Sequence, residues 1–203
     1  MNWTTKAGAQ TIPADGVLYF AVTPDEVSAA RILRAAREAR ALVGRAGGER
    51  LPAALHLSLL GFEFTAARAA DLERAFHVGE RLRWPPFEAL LVRGLSSGRG
   101  GAVRPYVLTG SAGSDAAFTG LHDTLWDVAD DVGLELTRRR PFAPHMTIAY
   151  DRSPFPESLL PEPVRWPAYE LALVHARPAW KGRQVLHRWH LRAPEDARAA
   201  RSG

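Results

Sequence analysis

The chain has 203 residues, 46% of them hydrophobic and 24% charged, which suits one globular domain and argues against disorder throughout. It contains no cysteine, which excludes disulfide scaffolds, cysteine-ligated metal centres and thiol nucleophiles. Its 26 basic and 22 acidic residues leave a net charge of +4. Such an excess suits an anionic partner, although an arginine-rich composition explains it without any partner.

The first half of the chain alternates strand and helix patterns. The run at residues 17–22 predicts a strand, and Thr23 predicts the cap of a helix that extends to about residue 43. The apolar run at 54–64 lacks a helical period and predicts a second strand. Residues 65–82 then predict a second helix.

The second half of the chain predicts one helix among several strands. A proline-rich stretch from about residue 153 to 167 is interpreted as a linker between them. The predicted elements are strands at 87–95 and 103–109, a helix at 114–132, and strands at 142–150, 169–175 and 184–191.

This mixture of helices and hairpins predicts an α+β fold with a mainly antiparallel sheet. We expect a single domain over residues 1–203, with its core at about 16–191 and flexible tails at both ends. No segment approaches the ~18–20 apolar residues of a membrane helix. The first nine residues contain a lysine and no apolar run typical of a signal peptide, so we expect a cytoplasmic protein that does not bind membranes.

Three of the seven histidines begin the pattern His-x-Ser/Thr-apolar, namely His56, His122 and His145. His56 and His145 lie in predicted strands, where residues two apart point to the same face of the sheet. Ser58 and Thr147 should therefore project beside them. The third motif lies in a helix, where residues two apart diverge, so we interpret His122 as a histidine of the helix surface.

Two strand-borne pairs of histidine and hydroxyl are suited to phosphoryl transfer. One imidazole can take a proton from the attacking oxygen while the other gives a proton to the leaving oxygen. The hydroxyls can donate hydrogen bonds to the non-bridging phosphate oxygens. Two buried histidines that merely bond to neighbouring hydroxyls are the structural alternative.

Four stretches resemble the 2H phosphoesterase superfamily, and within it the bacterial 2′-5′ RNA ligase (RNA 2′,3′-cyclic phosphodiesterase) family. They are the strand at 18–22, the first motif at 55–59, the Arg-Pro-Phe-x-Pro-His motif at 140–148 and the closing hairpin at 181–191. The resemblance implies two similar lobes that face a central cleft, with helices on the outside and one histidine motif in each lobe.

The resemblance also implies a catalytic set of His56, Ser58, His145 and Thr147. His145 would activate water as the general base, and His56 would protonate the leaving 3′ oxygen of a 2′,3′-cyclic phosphate. The product would be a 2′-phosphate, and 2′-5′ ligation of RNA ends would be the reverse use of the same site. No metal or cofactor is implied.

Three further residues are candidates for binding substrate. Arg140 ends a basic run that could attract an RNA backbone, and Arg183 could reach a phosphate from the closing hairpin. Tyr150 stands where family members often carry an arginine after the second motif. Regular strand alternation would place Tyr150 on the face opposite Thr147, which favours packing over binding.

We therefore expect a monomer that acts on RNA ends or cyclic nucleotides without an obligate protein partner. One alternative is another 2H substrate, such as a 2′-5′ oligonucleotide or an ADP-ribose cyclic phosphate. The other is a non-catalytic protein that binds RNA ends.

Overall fold

The computed structural model of the chain describes residues 2–5, 8–13, 15–45, 48–98, 102–136, 141–177 and 183–194. These ranges contain ten strands and three α-helices. In chain order they are β1 (Asn2–Thr5), β2 (Gly8–Pro13), β3 (Val17–Val22), α1 (Glu26–Ala41), β4 (Leu57–Glu63), α2 (Ala70–Arg81), β5 (Phe87–Ser96), β6 (Arg104–Gly110), α3 (Ala112–Asp131), β7 (Met146–Asp151), β8 (Ser158–Ala168), β9 (Glu170–Ala176) and β10 (Arg183–His190).

Eight of the strands form one antiparallel sheet in the order β10-β9-β3-β4-β7-β6-β5-β8. This arrangement confirms the predicted α+β fold. The sheet has a first half, β10-β9-β3-β4, and a second half, β7-β6-β5-β8. The two halves meet at β4 and β7, where the pair Leu57–Met146 joins them. The remaining strands, β1 and β2, form a separate hairpin that the sequence did not predict.

The helices cover one face of the sheet. Helix α1 packs along β8, α2 packs against β9 and α3, and α3 crosses β4, β5 and β6. Leu57 and Met146 point to this covered face and are 1% and 0% exposed. Because neighbouring residues of a strand point to opposite faces, the residues that flank this pair point to the open face.

Helix starts follow the capping chemistry of the local sequence. The first helix begins two residues later than predicted, because Asp25 rather than Thr23 caps it, its Oδ1 accepting from the Ser28 N–H at 2.7 Å. The hydroxyl of Ser111 caps α3 by accepting from the Ser114 N–H at 3.3 Å. The predicted first turn of α2 is instead a separate 3₁₀ turn at Ala66–Arg68.

The predicted proline-rich linker is wrong, because most of it is the 11-residue strand β8. This strand lies at the edge of the sheet, where missing N–H donors are tolerated. Most of its apolar side chains turn inward, and Leu160, Val164 and Trp166 are at most 4% exposed, whereas Leu159 is 73% exposed. The prolines Pro161, Pro163 and Pro167 remain exposed.

The predicted surface position of His122 is also wrong. Its side chain is 5% exposed and stacks on Phe142, with ring centroids 4.3 Å apart and an interplanar angle of 2°. The reason is that residues 142–145, which were predicted as strand, precede β7, and Phe142 among them stacks on His122 of α3. His122 is therefore part of the packing beneath the second motif.

Candidate active site

The two histidine motifs lie side by side where β4 and β7 begin. Because Leu57 pairs with Met146 in antiparallel register, His56 lies across from Thr147 and Ser58 across from His145. All four side chains point to the open face, since the residues between them are buried on the other face. The structure thus brings together the two histidines and two hydroxyls that the sequence singles out.

The backbone after each motif has the same irregularity. In β4 the register with β3 shifts so that Leu59 is left unpaired, directly after Ser58. In β7 the register with β6 shifts so that Ile148 is left unpaired, directly after Thr147. Each shift is a β-bulge, which bends a strand and changes its side-chain alternation. The two halves are therefore locally equivalent around the Leu57–Met146 pair.

Both imidazole rings are oriented by a backbone carbonyl two residues earlier in the chain. Nδ1 of His56 lies 3.1 Å from the oxygen of Ala54, and Nδ1 of His145 lies 2.8 Å from the oxygen of Ala143. When Nδ1–H donates to the carbonyl, Nε2 is left to exchange a proton with a ligand. The two rings are thus presented in the same way.

Arg183 lies against the His56 ring. Its Nη1 contacts Nδ1 closely and lies 3.3 Å from Nε2. Its Nη2 donates to the oxygen of Ala53 at 3.1 Å, and Nη1 is 3.4 Å from the hydroxyl of Tyr19. Because a guanidinium only donates, its contact with Nδ1 competes with the Ala54 carbonyl for that nitrogen. The predicted substrate-binding position of Arg183 is therefore beside one of the two histidines.

The surroundings of His56 favour its neutral form. Burial, followed by the charge of Arg183, lowers the pKa of His56 to about 4. The charge of Arg50 lowers it further, and the Ala54 carbonyl opposes the change. His56 is consequently uncharged near neutral pH in the free protein.

Tyr19 belongs to the same wall and was not identified as a site residue from the sequence. Its ring centroid lies 5.3 Å from that of His56. In β3 it alternates with the buried Leu18 and Phe20, which places it on the open face. This alternation was the available signal, and the run of apolar residues around it obscured the signal.

Tyr150 lies on the open face, contrary to the prediction from regular alternation. The bulge at Ile148 makes both Ile148 and Ala149 point to the buried face. Tyr150 therefore projects on the same side as Thr147, and 51% of it is exposed. Arg140, another candidate for binding substrate, lies outside the described residues.

Arg50 contacts Tyr150 and was missed by the sequence analysis. Its Nη2 donates to the Tyr150 hydroxyl at 3.0 Å, and its guanidinium carbon lies 5.3 Å from the ring centroid. The backbone N–H of Arg50 donates to the oxygen of Ile148 at 2.7 Å, next to a bridge between Glu49 and Ala149. Nothing in this loop sequence marks Arg50, since only the folded chain brings it to β7.

A buried arginine anchors the backbone behind this pair. The side chain of Arg40 is 1% exposed and donates to both carboxylate oxygens of Asp151, at 3.1 and 3.0 Å. It also donates to Oε1 of Glu49 at 2.9 Å. We call these three residues the Arg40 clamp. Glu49 and Asp151 are the chain neighbours of Arg50 and Tyr150, so the clamp holds both from the covered face.

The described ranges contain no group of three or more histidine, cysteine, aspartate or glutamate side chains placed to hold a metal ion. They also contain no helix that is both long and apolar enough to cross a membrane.

Comparisons with known proteins find one matching family and several structures with a similar fold. The family model described as the 2′-5′ RNA ligase superfamily matches residues 14–178. A comparison with curated proteins finds no match. Among solved structures, TT0787 of Thermus thermophilus is 27% identical, with a TM-score of 0.63 over 88% of this chain and 99% of that one. Apo LigT of E. coli is 23% identical with the same TM-score and coverage, and LigT with 3′-AMP is 21% identical, with a TM-score of 0.63 over 87% of this chain and 98% of that one.

Proposed function

The chain belongs to the 2′-5′ RNA ligase superfamily of 2H phosphoesterases, and we propose that it is a metal-independent enzyme that opens 2′,3′-cyclic phosphates at RNA or nucleotide ends to 2′-phosphates. The observation that carries this proposal is the pairing of two His–hydroxyl motifs across Leu57 and Met146. Two similar proton-transfer groups on either side of one phosphorus are what an in-line displacement requires.

In the proposed reaction, the phosphate binds on the open face between the two motifs. His145 takes a proton from water as the water oxygen bonds to phosphorus. The bond from phosphorus to the 3′ oxygen breaks, and His56 gives that oxygen a proton. Ser58, Thr147 and Arg183 donate hydrogen bonds to the non-bridging oxygens, on which negative charge accumulates. With a 5′-hydroxyl in place of water, the same transfers would form a 2′-5′ bond.

His56 must be protonated to serve as the acid, whereas it is neutral in the free protein. A bound cyclic phosphate carries a negative charge between His56 and Arg183. That charge offsets the arginine and raises the pKa of His56. In this proposal, substrate binding itself charges the acid.

The assignment of acid and base is tested with a substrate in which sulfur replaces the 3′ oxygen. A thiolate leaves without needing a proton, so His56→Ala should regain most of its lost rate on this substrate. His145→Ala should stay inactive, because the attacking water still needs a base. Recovery by His145→Ala alone would exchange the two roles.

The reaction class is tested with a short RNA that ends in 2′,3′-cyclic phosphate, in the presence of EDTA. Wild type should release a 2′-phosphate, while His56→Ala and His145→Ala should each lose at least about 100-fold in kcat. His77→Ala is the matched control, since the His77 side chain is 51% exposed on α2, outside the site.

Other outcomes would favour the alternatives. RNA binding without turnover would identify a protein that binds RNA ends. Turnover only of a 2′-5′ oligonucleotide or an ADP-ribose cyclic phosphate would identify another 2H substrate. The proposal also includes a monomer that works in the cytoplasm without an obligate protein partner, and sedimentation would test its monomeric state.

A further inference from the structure

We propose that Arg50 and Tyr150 form a binding site for the nucleotide that precedes the reacting phosphate. The protein would then prefer oligonucleotide ends to free nucleoside 2′,3′-cyclic phosphates. This inference rests on the proposed function and specifies the substrate class of the same site. It concerns residues beyond the two histidine motifs.

The position of Tyr150 relative to the second motif suits a neighbouring nucleotide. The bulge at Ile148 puts Tyr150 on the open face with Thr147, three residues further along β7. That separation is about 10 Å at the usual rise of a strand. Tyr150 is thus too far along the strand to share the phosphate that Thr147 would bind, and it is close enough for the adjoining nucleotide to reach.

The Tyr150 ring and the Arg50 guanidinium are groups of the kind that bind unpaired bases. The Tyr150 ring is half exposed, and its hydroxyl is held by Arg50, whose guanidinium lies over the ring. Aromatic rings and guanidinium planes are the surfaces on which unpaired bases stack, whatever their sequence. The positive charge of Arg50 also suits the phosphodiester that follows such a base.

The charges around Arg50 and Tyr150 suit an anionic ligand. Two carboxylates, Glu49 and Asp151, lie next to Arg50 and Tyr150 in the chain and would repel a phosphate if they faced it. Both are instead bonded to Arg40 on the covered face. The open face therefore presents arginines on both sides of the motifs, Arg183 beside His56 and Arg50 beside Tyr150.

Neighbouring contacts hold Arg50 and Tyr150 in place. The backbone of Arg50 bonds to β7, and the Arg40 clamp holds the residue before Arg50 and the residue after Tyr150. A pair of side chains held in this way loses little freedom when a base stacks on it. The pair is consequently a preformed surface rather than two independent exposed side chains.

The test compares a dinucleotide that ends in 2′,3′-cyclic phosphate with the corresponding mononucleoside cyclic phosphate. Wild type should have the higher kcat/KM on the dinucleotide. Tyr150→Leu should lower kcat/KM on the dinucleotide by about 10-fold, the effect of losing one base stack. It should leave the mononucleotide within about 3-fold. Tyr150→Phe should keep most of the preference for the dinucleotide, because it keeps the ring and loses only the hydrogen bond from Arg50.

A second variant tests the charge. Arg50→Gln should weaken binding of the dinucleotide and reduce the slope of log K against log salt concentration by about 0.7, the value for one contact to a single-strand phosphate. Binding of a non-hydrolysable dinucleotide with a terminal 3′-phosphate gives this slope without turnover. The mononucleotide slope should change less than the dinucleotide slope.

Three results would overturn the inference. Equal losses on both substrates for Tyr150→Leu would place Tyr150 at the reacting nucleotide, and no loss on either would leave it a surface residue. An unchanged salt slope for Arg50→Gln would remove the phosphate contact. If wild type turned over neither substrate, the proposed function would fail. Binding of the non-hydrolysable dinucleotide to wild type and to Tyr150→Leu would then still test whether Tyr150 contacts the nucleotide.

Discussion

The two imidazole rings are oriented alike but have different surroundings. Each has Nδ1 within hydrogen-bonding distance of a carbonyl two residues earlier, yet Arg183 lies against only His56. His145 is exposed, whereas His56 is largely covered. At the scale of single residues, the asymmetry of the site therefore comes from one guanidinium and from burial.

Acid should destabilise the protein through His56. Its pKa is about 4 in the folded protein, against an ordinary value of 6.5, so the unfolded chain binds more protons between these pH values. The free energy of unfolding should thus rise with pH from about 4 to 6.5, by up to about 3 kcal/mol from this one group.

Urea unfolding at several pH values measures this effect. His56→Gln should flatten the rise over that window, while His77→Gln, the change of an exposed histidine, should leave it as in wild type. An identical pH dependence in wild type and His56→Gln would contradict the lowered pKa.

At the scale of elements, the identity of most strands and helices could be predicted from the sequence, and so could the two strand-borne motifs. Their hydrophobic periods and caps are local properties. The bulge at Ile148 could not be predicted, because it depends on how β7 aligns with β6. It moved Tyr150 to the face opposite the one expected, and Arg50 joined it only through the fold.

The edge strand β8 shows a similar limit. Its prolines are typical of a linker, and only its place at the end of the sheet makes them compatible with a strand. His122 is another case, since its helix pattern did not reveal that residues before β7 cover it. In each case a neighbour distant in sequence determines the structure, namely whether the segment forms a strand or whether the side chain is buried.

Loss of the Arg40 clamp should destabilise the protein strongly. Arg40→Met would leave Glu49 and Asp151 without their buried cation, which we expect to cost about 3–5 kcal/mol in the free energy of unfolding. Urea unfolding measures the loss. The control is Arg34→Ala, because Arg34 and its partner Glu38 are 62% and 51% exposed, and this exposed pair should contribute less than about 1 kcal/mol. Equal effects would mean that the clamp adds no stability.

Glycine-to-alanine changes in two helices should have opposite effects. At Gly79 in α2, an added Cβ would lie 2.5 Å from ring atoms of Trp189, which is itself packed against Phe20 and Phe76. We expect Gly79→Ala to destabilise by about 1–3 kcal/mol.

At Gly113 in α3 an added Cβ meets nothing within 4 Å. Gly113→Ala should therefore raise stability, by up to about 1 kcal/mol, through the better helix propensity of alanine. Thermal melts of both variants measure the difference, and a stabilised Gly79→Ala would show that α2 does not pack closely on β10.

At the scale of the whole molecule, helices join the two halves of the sheet. Helix α1 follows β3 of the first half but packs along β8, the far strand of the second half, and α3 packs on β4 of the first half as well as on β5 and β6 of the second. Unfolding of either half would therefore remove part of the packing of α3. We expect urea unfolding followed by far-UV circular dichroism and by tryptophan fluorescence to give one shared transition. Two separated transitions would contradict this coupling.

The order of strands also determines when the site can be completed. The first half contains β3 and β4, but its other two strands, β9 and β10, follow all four strands of the second half in the chain. During synthesis, His56 and His145 are thus both present while Arg183 is still to be made. The nascent protein holds both motif histidines before it holds Arg183, whose charge adds to burial in lowering the pKa of His56, and β3 has an unpaired edge until that last hairpin arrives.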